Sequence, residues 1–230
     1  MTVAKPQHAP IRSFVRRAGR ITAAQQRALD ELAPRFELTS SAALDLDQGF
    51  GRRAPRTLEI GFGNGENLAA LAAAHPERDY LGVEVHRPGV GHLFLLAQQH
   101  ALLNIRVVCH DAVEVLSSQL AENSLDEVLV LFPDPWPKKR HHKRRLIQPE
   151  FVTLLSSRLQ VGGVLRLATD WQEYAEQMLL VLGDCAQLQN LSPTREFMPR
   201  DAGRLLTRFE RRGQRLGHGV WDLAFERARR

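Results

Sequence analysis

The feature that most constrains the fold of this chain is a regular alternation of strand-like runs and helical periodicity that begins at Arg56. The apolar, strand-like runs are residues 57–61, 80–85, 105–109, 125–132 and 163–169. Helical periodicity falls between and after them, at residues 65–75, 88–103, about 112–121, 149–159 and 171–182. Strands that alternate with helices predict a mostly parallel sheet covered by helices on both faces. We therefore predict an α/β, Rossmann-like, doubly wound fold.

The N-terminal segments predict smaller structures. Residues 1–20 carry five Lys or Arg, no acid and few apolar side chains, which is typical of a flexible basic arm. Residues 21–38 predict a short helix that Thr22 caps. Residues 39–55 are loop-like. We expect these segments to form an N-terminal part over residues 1–50.

The C-terminal third differs from the alternating region. After residue 183 the alternation stops, and Val220 to Phe225 alternates like an edge strand. We expect it to belong to a main domain over residues 51–230. Cys109 and Cys185 lack CxxC spacing and predict reduced, buried thiols, and we expect no metal site. Neither a run of roughly 18 apolar residues nor a secretion signal is present, so we expect a cytoplasmic protein.

Charge is distributed unevenly along the chain, although the net charge is only +5. Residues 1–20, 138–145 and 204–230 together carry +16, so the remainder carries −11. A negative body with three positive segments is typical of a protein that binds nucleic acid. A segment that binds membranes would also need an amphipathic apolar face, which residues 138–145 lack.

Residues 57–65 predict a strand that runs into a glycine-rich turn and opens a helix. The glycines of the turn are Gly61, Gly63 and Gly65. Glycine permits positive φ angles and the close approach of a ligand. A dinucleotide fingerprint would need Gly or Ala at the next position, which is Glu66 here. Because Glu59 and Glu66 flank the turn, it suits a cationic ligand better than a pyrophosphate.

Two further acids follow the second and third strand-like runs. Glu84 lies nineteen residues after Gly65, where a carboxylate can accept both ribose hydroxyls of a nucleoside. Asp111 follows the third run, where a side chain can reach an adenine amine. The carboxyl ends of strands in open α/β sheets bind ligands, and S-adenosyl-L-methionine is a cation without phosphate. We therefore predict S-adenosyl-L-methionine as the cofactor, with helix capping as the alternative for either acid alone.

Residues 132–145 hold the most informative motif, in which Asp134 stands between two prolines and is followed by Trp136 and a run of cations. The prolines around both side chains remove backbone freedom and backbone donors, which fixes where the side chains point. A rigid acidic and aromatic tip beside a basic patch suits chemistry on a base of a polyanion. The alternative is a turn followed by a solvated charged helix, although such faces normally mix both signs.

These motifs together resemble the bacterial tRNA (guanine-N7-)-methyltransferase family. The matching segments, in chain order, are LEIGFGNG, GVEV, the Asp111 loop, FPDPWPKKRHHKRR, ATD at 168–170 and TRFE at 207–210, with a weaker match in RSFVRRAGR. The resemblance implies a Rossmann-like class I methyltransferase fold with an antiparallel C-terminal strand. It also implies methyl transfer from S-adenosyl-L-methionine to N7 of guanine in tRNA, at position 46 of the variable loop.

The resemblance implies roles for individual residues as well. Contacts with the cofactor are expected from the glycine turn and from Glu59, Glu84, Asp111 and Asp134. Asp134 is also the expected active-site residue. Contacts with the substrate are expected from Lys138, Asp170, Thr207, Arg208, Phe209 and Glu210. Contacts with RNA are expected from Arg140, His141, His142, Lys143, Arg144 and Arg145. Asp170 has helix capping as its alternative role, and Glu210 has an ion pair with an arginine.

The implied reaction needs no general base, because guanine N7 carries a lone pair and no proton. The enzyme must align N7 with the methyl group and stabilise the cation that forms. We expect Asp134 to accept hydrogen bonds from the guanine N1–H and amine and to supply this charge. Trp136 is expected to stack on the base or to buttress the loop. N7 lies in the deep groove of paired RNA, which favours an exposed loop guanine.

Other functions are compatible with parts of the sequence. They are methylation of another RNA site, a protein or a small molecule, RNA binding without catalysis, and dehydrogenation. The three basic segments disfavour a small-molecule substrate, the intact acids disfavour a non-catalytic protein, and Glu66 disfavours a dehydrogenase. A monomer and a homodimer are both compatible with the sequence.

Overall fold

The computed structural model describes residues 13–14, 19–39, 43–200, 210 and 219–229. The strands in these ranges are β1 (Arg56–Ile60), β2 (Asp79–Val83), β3 (Ile105–Val108), β4 (Leu125–Leu131), β5 (Leu159–Thr169), β6 (Leu188–Asn190) and β7 (Trp221–Arg227). The α-helices are α1 (Ala23–Phe36), α2 (Leu46–Phe50), α3 (Glu66–Ala74), α4 (Arg87–Gln99), α5 (Ala112–Glu114), α6 (Pro149–Arg158) and α7 (Gln172–Gly183). A π-helix, Val115–Gln119, follows α5, and a 3-10 helix, Lys139–Arg144, follows β4.

The strands form one sheet in the order β3-β2-β1-β4-β5-β7-β6. The pairs from β3 to β5 are parallel, whereas β7 is antiparallel to both of its neighbours, β5 and β6. This confirms the predicted doubly wound, mostly parallel sheet with an antiparallel C-terminal strand. The winding reverses between β1 and β4, and such a switch point is where open α/β sheets bind ligands.

Apolar side chains pack on both faces of the sheet. Leu58 and Ile60 of β1 belong to a large cluster with α2, α6 and α7. Tyr80 of β2 and Ile105 of β3 belong to a second cluster beneath α1, α3 and α4. Burial on both faces explains why the sequence shows nearly continuous apolar runs in place of strict alternation.

The start of α1 confirms the capping signal at Thr22. The Thr22 hydroxyl accepts a hydrogen bond from the Gln25 N–H at 3.2 Å, and the Gln25 side chain accepts one from the Thr22 N–H at 2.9 Å. Such a cap stabilises a helix by about 1 kcal/mol. The helix then packs against α4, where the rings of Phe36 and Phe94 lie 5.6 Å apart. α1 is therefore part of the packed core.

Two predictions about the less regular segments were wrong. Within residues 39–55, predicted as a loop, α2 forms one turn that begins where the Asp45 side chain accepts from the Gln48 N–H at 3.0 Å. A helix this short is hard to detect because it shows too little periodicity. The predicted edge strand at Val220 to Phe225 is an inner strand, since β7 lies between β5 and β6. The actual edge, β6, has only three residues.

The remaining predictions about the fold concern the basic arm, the third helix of the alternating region, the two cysteines and membrane-spanning segments. Most of the basic arm, residues 1–12 and 15–18, lies outside the described residues. The third predicted helix is the short α5 followed by the π-helix. Cys109 and Cys185 are free thiols, both half-buried rather than buried. No helix within the described ranges combines the length and the apolar character needed to cross a membrane.

Candidate active site

The parallel strands bring the predicted acids to one edge of the sheet. Ile60 pairs with Val83 and with Val130, and Leu131 pairs with Ala168, so neighbouring strands end at similar levels. The acids at or just beyond these ends are Glu59, Glu84, Asp111, Asp134 and Asp170. Their common location follows from the parallel arrangement, in which all carboxyl ends face the same edge.

The glycine turn after β1 leaves room on its outer side. Gly61, Gly63 and Gly65 have φ angles of 72°, 60° and 79°, which favour glycine. A Cβ added at Gly61 or Gly63 would meet no atom within 4 Å. A Cβ at Gly65 would lie 2.8 Å from Leu93 of α4. The first two glycines therefore expose backbone to a ligand, whereas the third allows α3 and α4 to pack closely.

Glu84 organises the backbone of the glycine turn and of the segment that follows β2. One carboxylate oxygen accepts a hydrogen bond from the Gly63 N–H at 2.9 Å, and the other accepts from the N–H groups of Val85 and His86 at 2.7 and 3.0 Å. A carboxylate offers about four acceptor positions, so roughly one remains. The expected contact with both ribose hydroxyls is therefore more than this geometry allows without displacing a backbone donor.

Glu59 is the most deeply buried acid of the site, with 3% of its surface exposed. Burial raises its pKa to about 7, an effect that a hydrogen bond from Asn67 partly offsets and that the charge of Glu84 reinforces. The Asn67 amide donates to Glu59 at 3.1 Å, while its own carbonyl oxygen is buried and finds no hydrogen bond partner among the described residues. A buried acid and an unsatisfied acceptor side by side suit a ligand that brings positive charge and donors.

Asp111 caps the short helix that follows β3. One of its carboxylate oxygens accepts from the Val113 N–H at 2.9 Å, so the capping role that the sequence left open is present. In the described part of the chain the second oxygen accepts no further hydrogen bond, and the side chain is half-buried. Capping therefore orients Asp111 and still leaves an acceptor for a ligand.

Asp134 projects from a loop, residues 132–137, that we call the Asp134 loop. The Phe132 N–H donates to the Ala168 carbonyl of β5 at 2.7 Å, and Phe132 and Trp136 have φ angles of 53° and 45°. Residues other than glycine in this region cost of order 1–3 kcal/mol each and need support from their surroundings. Asp134 itself is exposed and has no hydrogen bond or ion pair within the described ranges.

Trp136 supplies part of that support. Its indole N–H donates to the Ser13 carbonyl at 3.1 Å, and the Arg144 guanidinium lies 4.2 Å from the ring centroid. The His141 ring meets it edge-on, with the centroids 5.9 Å apart. These contacts favour the buttressing role among the two expected for Trp136.

Asp170 directly follows β5, next to the Asp134 loop. The residue that caps α7 is Trp171, whose N–H is bonded to the Thr169 hydroxyl at 3.3 Å, so helix capping by Asp170 is wrong as an alternative. Asp170 is half-buried and, among the described residues, forms no hydrogen bond or ion pair. Asp134 and Asp170 are thus two carboxylates, at the ends of the neighbouring strands β4 and β5, that form no hydrogen bond or ion pair among the described residues.

The residues that we call the basic segment, 138–145, carry their charge mostly on the surface. The exposed cations are Lys138, Lys139, Arg140 and Lys143. The pKa of His141 is lowered from its usual value, chiefly by desolvation. Smaller contributions come from the positive charges of Arg140, Arg144, Lys138 and Lys143. We therefore expect His141 to be neutral at pH 7, so that the exposed Lys and Arg provide the positive charge.

Arg145, which we expected to contact RNA, differs from the rest of the basic segment because its side chain is buried. Its side chain is only 1% exposed, and it donates to the Pro135 carbonyl at 2.8 Å and to the Gln177 side chain at 2.5 Å. His142 also turns inward, 3.1 Å from Arg145 and 3.5 Å from Glu173. The sequence could not separate these two residues from their exposed neighbours because the residue types are the same.

The predicted substrate residues of the C-terminal motif are described only at Glu210. Thr207, Arg208 and Phe209 lie outside the described residues. Glu210 is fully buried and accepts a hydrogen bond from Arg200 at 2.8 Å. The structure thus shows the ion pair with an arginine that was the expected alternative to a substrate contact.

Sequence reasoning missed three residues that shape the site. Asn67 orients Glu59, and Tyr174 and Gln177 of α7 contact Arg145. Tyr174 and Gln177 are three positions apart, a spacing that places them on one face of a helix. That spacing is a usable signal once the partner is known, whereas nothing in the sequence pointed to Asn67.

Comparisons with known proteins agree with this architecture. A family model described as "Putative methyltransferase" matches residues 53–223. A tRNA (guanine-N(7)-)-methyltransferase of Alkalilimnicola ehrlichii is 58% identical over 95% of this chain and 93% of its own length. The protein of the same name from Thiobacillus denitrificans is 60% identical over 94% of this chain and 95% of its own.

A solved structure resembles the fold at much lower sequence identity. The 16S rRNA methyltransferase KamB aligns with a TM-score of 0.57 at 16% identity, over 82% of this chain and 96% of that one. At this identity the likeness concerns the fold, which is that of class I methyltransferases.

Proposed function

The chain belongs to the tRNA (guanine-N(7)-)-methyltransferase family, and we propose that it transfers a methyl group from S-adenosyl-L-methionine to N7 of the variable-loop guanine of tRNA. The main structural support for this proposal is the position of Asp134. Asp134 stands exposed and uncommitted on a braced loop, between the acidic ends of β1 and β2 and a row of exposed cations. This order supports a site in which cofactor, base and phosphates would lie side by side.

The residues around the glycine turn fit S-adenosyl-L-methionine. Gly61 and Gly63 leave open space, and the buried Glu59 with its neighbour Asn67 offers acceptors to the ammonium group. Glu84 keeps about one acceptor position for a ribose hydroxyl, and Asp111 keeps one oxygen for the adenine amine. When bound, S-adenosyl-L-methionine supplies an electrophilic methyl group on a sulfonium.

The exposed cations of the basic segment suit a tRNA partner. Lys138, Lys139, Arg140 and Lys143 project into solvent directly after the Asp134 loop. Four cations at this spacing can neutralise phosphates on both sides of a nucleotide whose base enters the site. A loop guanine can enter more easily than a paired one, since N7 of a paired base lies in the deep groove. We place the reaction in the cytoplasm, where tRNA is found.

Asp134 is the residue that we assign to the chemistry. Its carboxylate can accept hydrogen bonds from the guanine N1–H and the exocyclic amine, which orients N7 towards the methyl group. The same negative charge stabilises the ring as it becomes cationic. Asp170 at the end of β5 is close enough in the sheet to share in binding the base. No proton leaves N7, so none of these groups acts as a general base.

The direct test is to incubate the purified protein with methyl-labelled S-adenosyl-L-methionine and bulk tRNA, digest the RNA and identify the labelled nucleoside. We expect 7-methylguanosine, and mapping of the label should place it in the variable loop. Label in another nucleoside would redirect the proposal to a different RNA site. Tight tRNA binding without any label would support a non-catalytic RNA-binding protein instead.

A further inference from the structure

We propose that Arg145 is a positioning residue that holds the Asp134 loop in its active shape, unlike the phosphate-binding cations of the same basic segment. The inference deepens the proposed function and rests on it for the identity of the reaction. Its basis is the set of contacts that the buried guanidinium makes with the loop on one side and with α7 on the other.

The Arg145 side chain joins the Asp134 loop to α7. Its Nε donates to the Pro135 carbonyl at 2.8 Å, one residue from Asp134, and its Nη1 donates to Gln177 at 2.5 Å. The guanidinium carbon lies 4.9 Å from the ring centroid of Tyr174, and Glu173 lies 3.8 Å from Nη2. With 1% of its side chain exposed, Arg145 has little surface left for a phosphate.

The backbone that carries Arg145 is fixed by the same helix. The Ile147 N–H donates to the Tyr174 hydroxyl oxygen at 3.1 Å, and the Gln177 amide donates to the Ile147 carbonyl at 3.3 Å. Tyr174 is fully buried in the core. The anchor point of the guanidinium is therefore rigid, and a rigid anchor is what a positioning residue requires.

The Asp134 loop needs such an anchor because its own backbone is unfavourable. Phe132 and Trp136 both have positive φ angles, and the three prolines of the loop have no N–H to donate. Within the described ranges Asp134 forms no hydrogen bond that would hold it. The Pro135 carbonyl, bonded to Arg145, is the contact nearest to Asp134 that ties the loop to the core.

The neighbouring Arg144 contacts the same loop, at the ring of Trp136. The last two arginines of the basic segment therefore touch the loop, whereas Lys138, Lys139, Arg140 and Lys143 face solvent. One short 3-10 helix therefore connects the cations proposed to bind RNA to the arginines that hold the loop of Asp134.

The test compares Arg145→Met with Arg140→Met, which removes one exposed cation from the same segment. Three quantities are measured on the full-length protein. They are the salt dependence of tRNA binding, the single-turnover rate at saturating tRNA and S-adenosyl-L-methionine, and hydrogen–deuterium exchange of the peptide that covers residues 132–137.

We expect Arg145→Met to keep the wild-type salt slope, to lose at least tenfold in single-turnover rate and to exchange faster in the Asp134 loop. Arg145→Lys should recover part of the rate, because an ammonium can still donate to the Pro135 carbonyl. Arg140→Met should instead flatten the log–log salt slope by about 0.7 and leave exchange in the loop unchanged.

A flatter salt slope in Arg145→Met with unchanged exchange and rate would overturn the proposal and return Arg145 to the phosphate contacts. If Arg145→Met fails to fold, Gln177→Met tests the same link, and an unchanged rate and exchange in that variant would equally refute it. Loop exchange does not depend on turnover. A wild-type protein that forms no 7-methylguanosine would therefore refute the proposed function, while exchange still decides the role of Arg145.

Discussion

The two halves of the carboxyl edge of the sheet are built in different ways. At the ends of β2 and β3 the acids are held by backbone N–H groups, three on Glu84 and one on Asp111. At the ends of β4 and β5, Asp134 and Asp170 form no hydrogen bonds or ion pairs within the described residues. There the loop is held by side chains instead, foremost Arg145.

This difference matches the ligands that we propose for the two halves, the cofactor at β2 and β3 and the guanine base at β4 and β5. A small cofactor of fixed shape suits a site whose acceptors are already oriented by backbone, because little ordering remains for binding to supply. A base that leaves an RNA loop needs acceptors that are still free when it arrives. The first half is therefore preformed, whereas the second holds Asp134 exposed on a loop and Asp170 half-buried beside it.

The strongest effect on the methylation rate is expected at the ends of β4 and β5, the half that we propose binds the substrate and call the substrate half. Asp134→Ala should lower the single-turnover methylation rate by roughly 10²–10³-fold, since an electrostatic contact of this kind contributes about 2.7–4 kcal/mol. The affinity for S-adenosyl-L-methionine, measured by calorimetry, should change little. Asp184→Ala, which removes an exposed acid at the far end of α7, is the control and should leave the rate unchanged. A large loss of cofactor affinity in Asp134→Ala would show that Asp134 also binds the cofactor and that the two halves form one site.

A loss of cofactor affinity is expected at the ends of β2 and β3, the half that we propose binds the cofactor and call the cofactor half. Glu84→Ala should weaken cofactor binding by at least about 1.5–3 kcal/mol, because it removes a charged acceptor and leaves three backbone N–H groups without it. Calorimetry with Glu66→Ala, an exposed acid in the first turn of α3, is the control and should show a much smaller change. Equal losses in the two variants would mean that general negative charge, and not the organised turn, determines affinity.

The exposed cations of the basic segment should determine how tRNA binding depends on salt. Replacing Lys138, Lys139, Arg140 and Lys143 with Ala should flatten the log–log salt dependence of tRNA binding by about 0.7 for each phosphate that is no longer neutralised. Arg144 and Arg145 stay in place, since both contact the Asp134 loop. Cofactor affinity serves as the control and should be unchanged. An unaltered slope would show that these side chains are only a solvated surface.

The smallest expected effect is a pH dependence of cofactor binding through Glu59. Burial raises the pKa of Glu59 to about 7, so the side chain is mostly protonated at pH 5–6.5. A cationic ligand favours the ionised form, so affinity should fall by up to about tenfold per pH unit below 7, with a proton released on binding. In the free protein the raised pKa stabilises the fold at acid pH, and this contribution is lost as the pH rises through 7.

Calorimetry in two buffers of different ionisation enthalpy measures that proton release. Glu59→Gln should bind S-adenosyl-L-methionine more weakly and show no dependence on pH in this window. The amine of the ligand stays protonated here, because α-amino groups titrate at about 7.7–8.0. The same pH dependence in Glu59→Gln would assign the titration to another group.

The sequence predicted the location of the acids well because strand ends are local signals. Glu84, Asp111 and Asp170 lie at or just after the ends of apolar runs, which places them at one edge as soon as the sheet is parallel. It did not predict the position of β7, because alternation within a strand carries no information about its neighbours in the sheet.

Orientation within the site was less predictable than location. Arg145 belongs to a run of like residues, and only the three-dimensional contacts with α7 distinguish it from exposed Arg140. One of the three hydrogen bonds of Glu84 likewise comes from Gly63 of the glycine turn, whose path is set by tertiary packing of Gly65 against Leu93. Local patterns cannot report such non-local partners.

The pH dependence of the single-turnover rate, at saturating tRNA and S-adenosyl-L-methionine, shows whether the residues at the ends of β4 and β5 act through position and charge alone. No proton transfer is expected there, because guanine N7 has no proton to lose. We predict that no ionisation near neutral pH limits the rate, and that Asp134→Asn, which keeps the shape of the side chain and loses its charge, lies between wild type and Asp134→Ala at every pH. A wild-type rate controlled by a group that titrates near pH 7, with this control abolished in Asp134→Asn, would contradict the account.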